Sequence, residues 1–207
     1  VEPDLAKNKA RLESIRRGLD YESQINAKTL YLRNRGLANC KKIGFHPGLE
    51  YWDGGKSLGK HPAMVCVFSD RNGLPATMHV TYLTANGQKA LVPSAKKIMP
   101  PCRPTTGGAI RLTNIYAEMG IAEGVETALA VMHKFKIPCW AAATAGMLEK
   151  FEPPSQVATL HIFADSDRSF TGQAVAFNLA KRLHREIDCR VHIPGQIGTD
   201  YADQMGD

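Results

Sequence analysis

Two stretches of the sequence decide the fold, and in both an apolar run leads into acids. Residues 159–167 read TLHIFADSD, a short apolar run that leads into Asp165 and Asp167. Residues 118–127 read EMGIAEGVET, in which Glu123 and Gly124 follow a second apolar run. Short apolar runs of this kind are typical of buried strands in a parallel sheet. The carboxyl ends of such strands meet at one edge of the sheet, so the sequence predicts that these acids lie close together.

Strands and helices alternate around these two stretches, from residue 113 to residue 207. The apolar patterns predict strands at 115–122, 139–143, 159–164 and 189–193, and helices at 125–135, 146–151 and 173–187. This alternation indicates an α/β domain, with a parallel sheet flanked by helices on both faces.

Residues 1–112 show a different pattern of predicted secondary structure. Two amphipathic helices are predicted, at 5–19 and 25–35, and the later runs predict strands at 63–69, 76–83 and 89–93. Turn signals at Asn72-Gly73 and Asn86-Gly87 favour antiparallel hairpins, and residues 99–108 should form a proline-rich loop. We therefore predict a small α+β subdomain at 1–112 and an α/β domain at 113–207.

Charge is distributed unevenly between these two parts. The net charge of +6 combines 18 Lys and Arg against 8 Asp and Glu in residues 1–112 with 8 against 12 in residues 113–207. The first part therefore carries +10 and the second −4. A basic part beside an acidic part suits an enzyme that acts on nucleic acid, with cations for phosphates and carboxylates for metal, although solvated basic faces are also common.

The sequence also argues against several classes of protein. No run of about 18 apolar residues occurs, and the acidic start lacks a signal peptide, so we expect a cytoplasmic protein without membrane contact. The five cysteines contain no C-x-x-C pair, which argues against a structural zinc site, and their odd number argues against a disulfide framework. Because the chain starts at Val1 without an initiator Met, we expect it to be part of a longer polypeptide.

The acids themselves indicate metal chemistry. Asp165 and Asp167 are spaced i, i+2 as a strand ends, so both side chains should point to the same side. With Glu123 from a neighbouring strand they would supply oxygen ligands for one or two Mg²⁺ (or Mn²⁺) ions, which can polarise phosphoryl oxygens and activate a hydroxyl. The alternative is that all three are capping acids in solvated loops.

The motifs resemble a known family. Glu123-Gly124, the DSD of residues 165–167 and then Gly172 resemble the Toprim signature of primases, topoisomerases and some nucleases. The longer stretches EGVETAL (123–129) and ADSDRSFTGQA (164–174) resemble the Toprim primases of plasmids and phages. Upstream, YLRNRGL (31–37) resembles the amino-terminal subdomain of that group, and GTDYAD (198–203) its closing acidic motif.

This resemblance implies a Toprim domain in a DNA primase core that synthesises short primers on single-stranded DNA by nucleotidyl transfer. It implies Glu123, Asp165 and Asp167 as catalytic metal ligands, with Asp200 and Asp203 as auxiliary ligands. The partners would be a single-stranded DNA template, NTPs, and a helicase or other replication domain in the full-length protein. DnaG-type primases carry an acid four residues after the motif glutamate; here that position is Thr127, and Glu126 stands one residue earlier.

Seven basic residues are further candidates for contacts with nucleic acid or nucleotide. The alternative is solvated surface charge or, for Arg168, a charge that only offsets the neighbouring acids. They are Arg33, Arg35, Lys96, Lys97, Arg103, Arg111 and Arg168. Two other functions remain open: a Toprim nuclease that hydrolyses DNA with the same acids, and a non-catalytic module that binds single-stranded DNA. A topoisomerase is disfavoured, because the chain is too short to hold a strand-passage gate as well.

Overall fold

The computed structural model describes residues 4–205. Its helices are α1 (Leu5–Arg17), α2 (Ala27–Asn34), α3 (Val125–Phe135), α4 (Ala145–Glu149) and α5 (Thr171–Leu183). Its strands are β1 (Ile43–Asp53), β2 (Lys56–Ser69), β3 (Pro75–Tyr82), β4 (Lys96–Ile98), β5 (Ala109–Ile110), β6 (Glu118–Ala122), β7 (Cys139–Ala141), β8 (Thr159–Phe163) and β9 (Asp188–His192). A 3₁₀ turn follows at Asp203–Met205.

All nine strands found in residues 4–205 belong to one sheet. Its order is β4-β3-β2-β5-β7-β6-β8-β9, and β1 pairs with β2 beside this path. Strands β1 to β4 pair antiparallel, whereas β7, β6, β8 and β9 pair parallel. The two-residue strand β5 pairs antiparallel with β2 on one side and β7 on the other, so it joins the two parts of the sheet.

Helices cover the sheet on both faces. On one face, α2 and α3 share a core with the even-numbered residues of β2, such as Met64 and Cys66. On the other face, α1 packs on β2 and β3 through Leu12 and Ile15, and α5 packs against β8 through residues such as Leu179. Helices α1 and α5 bury one apolar stripe each, whereas α3 buries every residue from Val125 to Val131.

The predicted fold class is confirmed: an α/β domain with a parallel sheet follows a small α+β subdomain. Helix α3 has the predicted bounds, and the hairpin at Asn72-Gly73 joins β2 to β3. The strand predicted at 89–93 is wrong, because that segment forms bends after a single bridge between Leu83 and Lys89, and pairing with β3 begins later, at β4. Strand β1 was not predicted.

No helix within residues 4–205 combines the length and the apolar character needed to cross a membrane.

Candidate active site

The acids lie at the carboxyl ends of two neighbouring parallel strands. Glu123 follows β6, and Asp165 follows β8; the two strands pair in parallel, with Ala122 opposite Phe163. Helix α3 begins directly after Glu123 and Gly124. This is the arrangement that the sequence predicted for Glu123 and Asp165.

Asp165 has the most perturbed environment of these acids. Burial and, to a smaller extent, the negative charges of Glu123, Asp200 and Asp167 together raise its pKa to about 7. Its Oδ1 atom is buried and has no hydrogen-bond partner among the described residues. The pKa of Glu123 is also raised, mainly by burial, with Asp167 adding to the shift. These mutual effects mean that the acids act as one electrostatic group.

Asp167 differs from Asp165 although only Ser166 separates them. Its carboxylate accepts a hydrogen bond from the Gly172 backbone N–H at 2.9 Å and from the Ser169 hydroxyl at 2.7 Å. These bonds lower its pKa. Asp167 therefore organises the loop that leads into α5, in addition to any role in binding a ligand.

A segment near the carboxyl terminus adds two further acids. The backbone N–H of Ser166 donates to the carbonyl of Thr199 at 3.0 Å, which ties residues 198–200 to the end of β8. Asp200 and Asp203 follow, and each carboxylate accepts a backbone N–H from the other residue, at 3.0 and 2.9 Å. The structure thus brings Asp200 and Asp203 to the same site as Asp165.

These acids line a cleft of about 360 Å³ together with cations from the amino-terminal part. The acidic lining residues are Glu123, Glu126, Asp165, Asp200 and Asp203, and the cations are Arg35, Lys89 and Lys96, with His79 beside them. Asp167 is not among the residues that line the cleft. Sequence reasoning singled out Arg35 and Lys96 but missed Lys89 and His79. Both faces of β3 are buried, so its sequence shows no alternation that could have indicated which side chains face the cleft.

His79 is almost fully buried at the edge of this cleft. Burial lowers its pKa to about 4, and the nearby Lys96 lowers it too, so the ring is neutral at pH 7. Its Nδ1 atom has no hydrogen-bond partner among the described residues.

Glu126 connects the cations to the acidic side of the cleft. Its buried carboxylate lies 2.9 Å from the Lys96 ammonium and accepts the Tyr31 hydroxyl at 2.7 Å. Burial alone would raise its pKa, but Lys96 and Tyr31 outweigh burial and hold the pKa at about 2. Glu126 is therefore ionised and fully paired. Its contacts come from α2 and β4 and fix the position of Lys96 relative to α3.

The structure places the other predicted basic residues outside the cleft. Lys97 points to the opposite face of β4, where its ammonium pairs with Asp53 at 3.0 Å. Arg103 lies 3.9 Å from the Asp70 carboxylate. The remaining three are Arg111, which donates to backbone carbonyls, and the exposed Arg33 and Arg168.

The donor set fits a hard divalent cation, which prefers carboxylate oxygens. The unpartnered, buried Oδ1 of Asp165 and the mutual repulsion of the acids are the features that such an ion would relieve. Within residues 4–205, no three His, Cys, Asp or Glu side chains converge closely enough to bind one ion together as they stand. The assignment of Glu123, Asp165, Asp167 and Asp200 as metal ligands stays a prediction.

Two family models match the sequence. A domain of unknown function (DUF7146) matches residues 7–112, about half of the chain, and a Toprim domain matches residues 118–207. No curated protein matches the sequence significantly.

Solved structures of DNA primases resemble the fold over nearly the whole chain. The DnaG catalytic core has a TM-score of 0.63 at 12% identity, with 97% of this chain and 74% of that chain covered. A DNA primase domain from Pseudomonas aeruginosa has a TM-score of 0.58 at 14% identity, with 97% and 73% covered. The primase fragment of the bacteriophage T7 primase-helicase has a TM-score of 0.55 at 17% identity, with 83% and 66% covered.

The resemblance found in the sequence is therefore confirmed for family and fold. The described residues of the amino-terminal part supply the cations of the cleft, and those of the Toprim part supply its acids. The chain belongs to the family of the DUF7146 domain, here joined to a Toprim domain in the fold of DNA primase catalytic cores.

Proposed function

We propose that this chain is the catalytic core of a DNA primase, which joins nucleotides into short primers on single-stranded DNA. One observation carries the proposal: the acids at the ends of β6 and β8 face a set of cations across a single cleft. A polymerising site needs both, because it must neutralise a triphosphate and activate a hydroxyl. The fold shared with primase catalytic cores supports the same conclusion.

The residues of the cleft divide between two tasks. Lys96, Lys89 and Arg35 would bind the triphosphate oxygens of the incoming nucleotide, as cations held opposite the acids. Glu123, Asp165 and Asp167, with Asp200 beside them, would hold Mg²⁺ or Mn²⁺. When bound, these ions would supply charge neutralisation at the reacting phosphate and lower the pKa of the attacking hydroxyl.

The reaction is an in-line displacement. The 3′-hydroxyl oxygen of one nucleotide forms a bond to the α-phosphorus of the next, the bond from that phosphorus to the bridging oxygen breaks, and pyrophosphate leaves. The hydroxyl proton passes to solvent. Positioning and charge neutralisation would supply most of the rate, because phosphoryl transfer requires little covalent chemistry from the protein.

The proposal extends to the setting of the enzyme. The T7 relative is a primase-helicase, and we propose that the full-length protein likewise joins this core to a helicase or other replication domain. We also propose a cytoplasmic location and a plasmid or phage origin, as the sequence resemblance implies.

The decisive experiment combines single-stranded DNA, labelled NTPs or dNTPs, and Mg²⁺ or Mn²⁺. New labelled oligonucleotides would support a primase, whereas a shortened template would identify a nuclease. DNA that is bound but unchanged, on both an unprimed and a primed template, would leave a non-catalytic binding module. The primed template is needed because it bypasses template selection, which can depend on domains outside this chain.

A further inference from the structure

A second basic surface lies on the other face of the amino-terminal sheet. Two adjoining depressions of about 170 and 330 Å³ share Arg16, Val67 and Pro75, so they form one groove along α1 and β2. We call it the reverse groove. Its cations are Lys9, Arg16, Lys41, Lys42, Arg103 and Arg111.

The strand register shows that the reverse groove and the cleft are on opposite faces. Val67 pairs with Met78, and both residues line the groove. Their neighbours in sequence, Cys66 and His79, also pair with each other, and His79 lines the cleft. Successive side chains of a strand point to opposite faces of the sheet. A ligand in the reverse groove therefore cannot touch the cleft acids directly.

Most of this positive charge is not neutralised. Arg16, Lys41 and Lys42 are exposed and form no ion pair with any described residue. Glu13 is the one carboxylate among the described residues that line the groove, and it pairs with Lys9 at 3.9 Å. Such a concentration of cations raises the local density of anions and attracts polyanions.

Arg111 and Tyr21 give the groove fixed features at one end. The Arg111 guanidinium lies 4.7 Å from the centroid of the Trp140 ring and donates to the carbonyls of Asp70 and Arg71. Its Nε is buried without a partner among the described residues. Tyr21 lines the same depression. Cations that line a groove together with a partly exposed aromatic ring, here Tyr21, are the combination that single-strand binding sites use for phosphates and bases.

We propose that the reverse groove binds the phosphodiester backbone of single-stranded DNA at a distance from the cleft. The inference rests on the proposed function for the identity of the polyanion, and on the unpaired cations for the existence of the site. It assigns a role to Arg103 and Arg111, which the sequence marks as candidate contacts and the cleft leaves unused. The strand would pass from the cleft to the opposite face of the sheet, so a long template would contact both.

The first test removes charge from the groove. The triple variant Arg16→Gln, Lys41→Gln, Lys42→Gln keeps exposed, uncharged side chains, so the fold should survive. Each lost phosphate contact lowers the dependence of log K on log salt by about 0.7 for a single strand. Losing three contacts would therefore lower this slope by about 2. The affinity lost by the variant at 0.1 M salt would then exceed the affinity it loses at 1 M salt by about 100-fold. Fluorescence anisotropy with oligo(dT) of about 30 nucleotides, which exceeds the ~4–16 nucleotides of a typical single-strand site, measures this.

A matched control removes charge from another surface. The variant Lys134→Gln, Lys181→Gln, Arg185→Gln loses the same three charges from exposed positions on the Toprim part. It should keep most of the affinity and salt dependence of the parent. Equal losses in both triple variants would show a non-specific effect of net charge and would overturn the proposal. Binding by the groove variant equal to that of the parent would also overturn it and leave the groove to an acidic protein partner.

A second test uses the native chain and does not depend on a variant that folds. Cys102 lies in the reverse groove and is partly exposed, whereas Cys189 is partly exposed on β9, in the Toprim part. Saturating single-stranded DNA should slow alkylation of Cys102 several-fold and leave that of Cys189 unchanged. Unchanged alkylation of Cys102 would contradict the proposal.

The two proposals fail in different ways. If DNA protects Cys102 from alkylation but the protein makes no oligonucleotides on a primed template, the proposal for the reverse groove stands and the primase assignment is wrong. If the parent makes oligonucleotides and the groove variant binds DNA and makes primers like the parent, the primase assignment stands and the proposal for the reverse groove is wrong.

Discussion

At the scale of single residues, Asp165 and Asp167 occupy different environments although the sequence presents them as a pair. Both substitutions to Asn keep the side-chain volume and remove a charge. We expect Asp165→Asn, Asp167→Asn and Glu123→Gln each to lose Mn²⁺ affinity and nucleotidyl transfer by at least about 100-fold, because each removes a negative charge from the acids of the site. Calorimetric Mn²⁺ titration beside primer synthesis on the same preparations is the measurement. Variants that bind Mn²⁺ and make primers like the parent would place the metal site elsewhere.

The raised pKa of Asp165 has a consequence for stability in the absence of metal. The unfolded carboxyl ionises near pH 4, whereas the folded one keeps its proton to about pH 7. Between these values the folded state holds the extra proton, so the stability of the parent falls as the pH rises through this window. Asp165→Asn should escape this loss and gain about 2 kcal/mol over the parent between pH 5 and pH 8, after a discount for solvent screening. Urea unfolding in EDTA at both pH values tests the sign.

Glu126 should behave in the opposite way. Its folded pKa of about 2 lies below the unfolded value, so its ionised form stabilises the protein above about pH 4.5, and this stabilisation is lost as the pH falls toward 2. Glu126→Gln leaves Lys96 without its carboxylate and should cost about 1–3 kcal/mol at pH 7, since Lys96 is partly solvated. Mn²⁺ affinity should change little. Tyr31→Phe, which removes a single hydrogen bond, should cost about 1 kcal/mol. A large loss of Mn²⁺ affinity in Glu126→Gln would instead make Glu126 a metal ligand.

At the scale of elements, the close approach of α5 to the end of β8 sets the position of the acids. A Cβ at Gly172 would lie 2.6 Å from the Asp165 carbonyl oxygen, so Gly172→Ala must displace backbone. We expect a loss of about 2 kcal/mol and a lower rate of nucleotidyl transfer. Gly146→Ala in α4 is the matched control, because its Cβ would meet nothing within 4 Å and Ala favours a helix by up to about 1 kcal/mol. Equal stability changes in the two variants would contradict the packing argument.

The elements also show how far the sequence could predict the structure. Strands β6, β7 and β8 and helix α3 were predictable because each buries a continuous run of mostly apolar residues. Strand β1 was not, because Pro47 and Gly48 interrupt it and its pairing with β2 includes register shifts. Strand β5 has only two residues and depends entirely on its neighbours in the sheet. The strand-end acids could be predicted because their positions follow from the strands that precede them in the sequence. His79 and the pairing of Glu126 with Lys96 could not, because they depend on contacts distant in sequence.

At the scale of the whole molecule, the continuous sheet and the core shared by α2 and α3 predict a single cooperative unfolding transition. The two tryptophans can test this, because Trp52 lies in β1 and Trp140 is buried in β7. In Trp52→Phe, the fluorescence of Trp140 should follow the same denaturation curve as far-UV circular dichroism, and the Trp52 signal should do so in Trp140→Phe. Two separated midpoints within either variant would mean that the amino-terminal and Toprim parts unfold independently.

The contact of Glu126 with Lys96 and Tyr31 has a consequence for exchanging parts between related proteins. The carboxylate is carried by one family domain and both of its partners by the other. A chimaera that grafts the Toprim part onto a foreign amino-terminal part would bury this carboxylate opposite whatever residues the host supplies. Without a lysine and a tyrosine at the matching places, the graft would contain an unpaired charge in its interior. Transplants within this family should therefore move all three residues together.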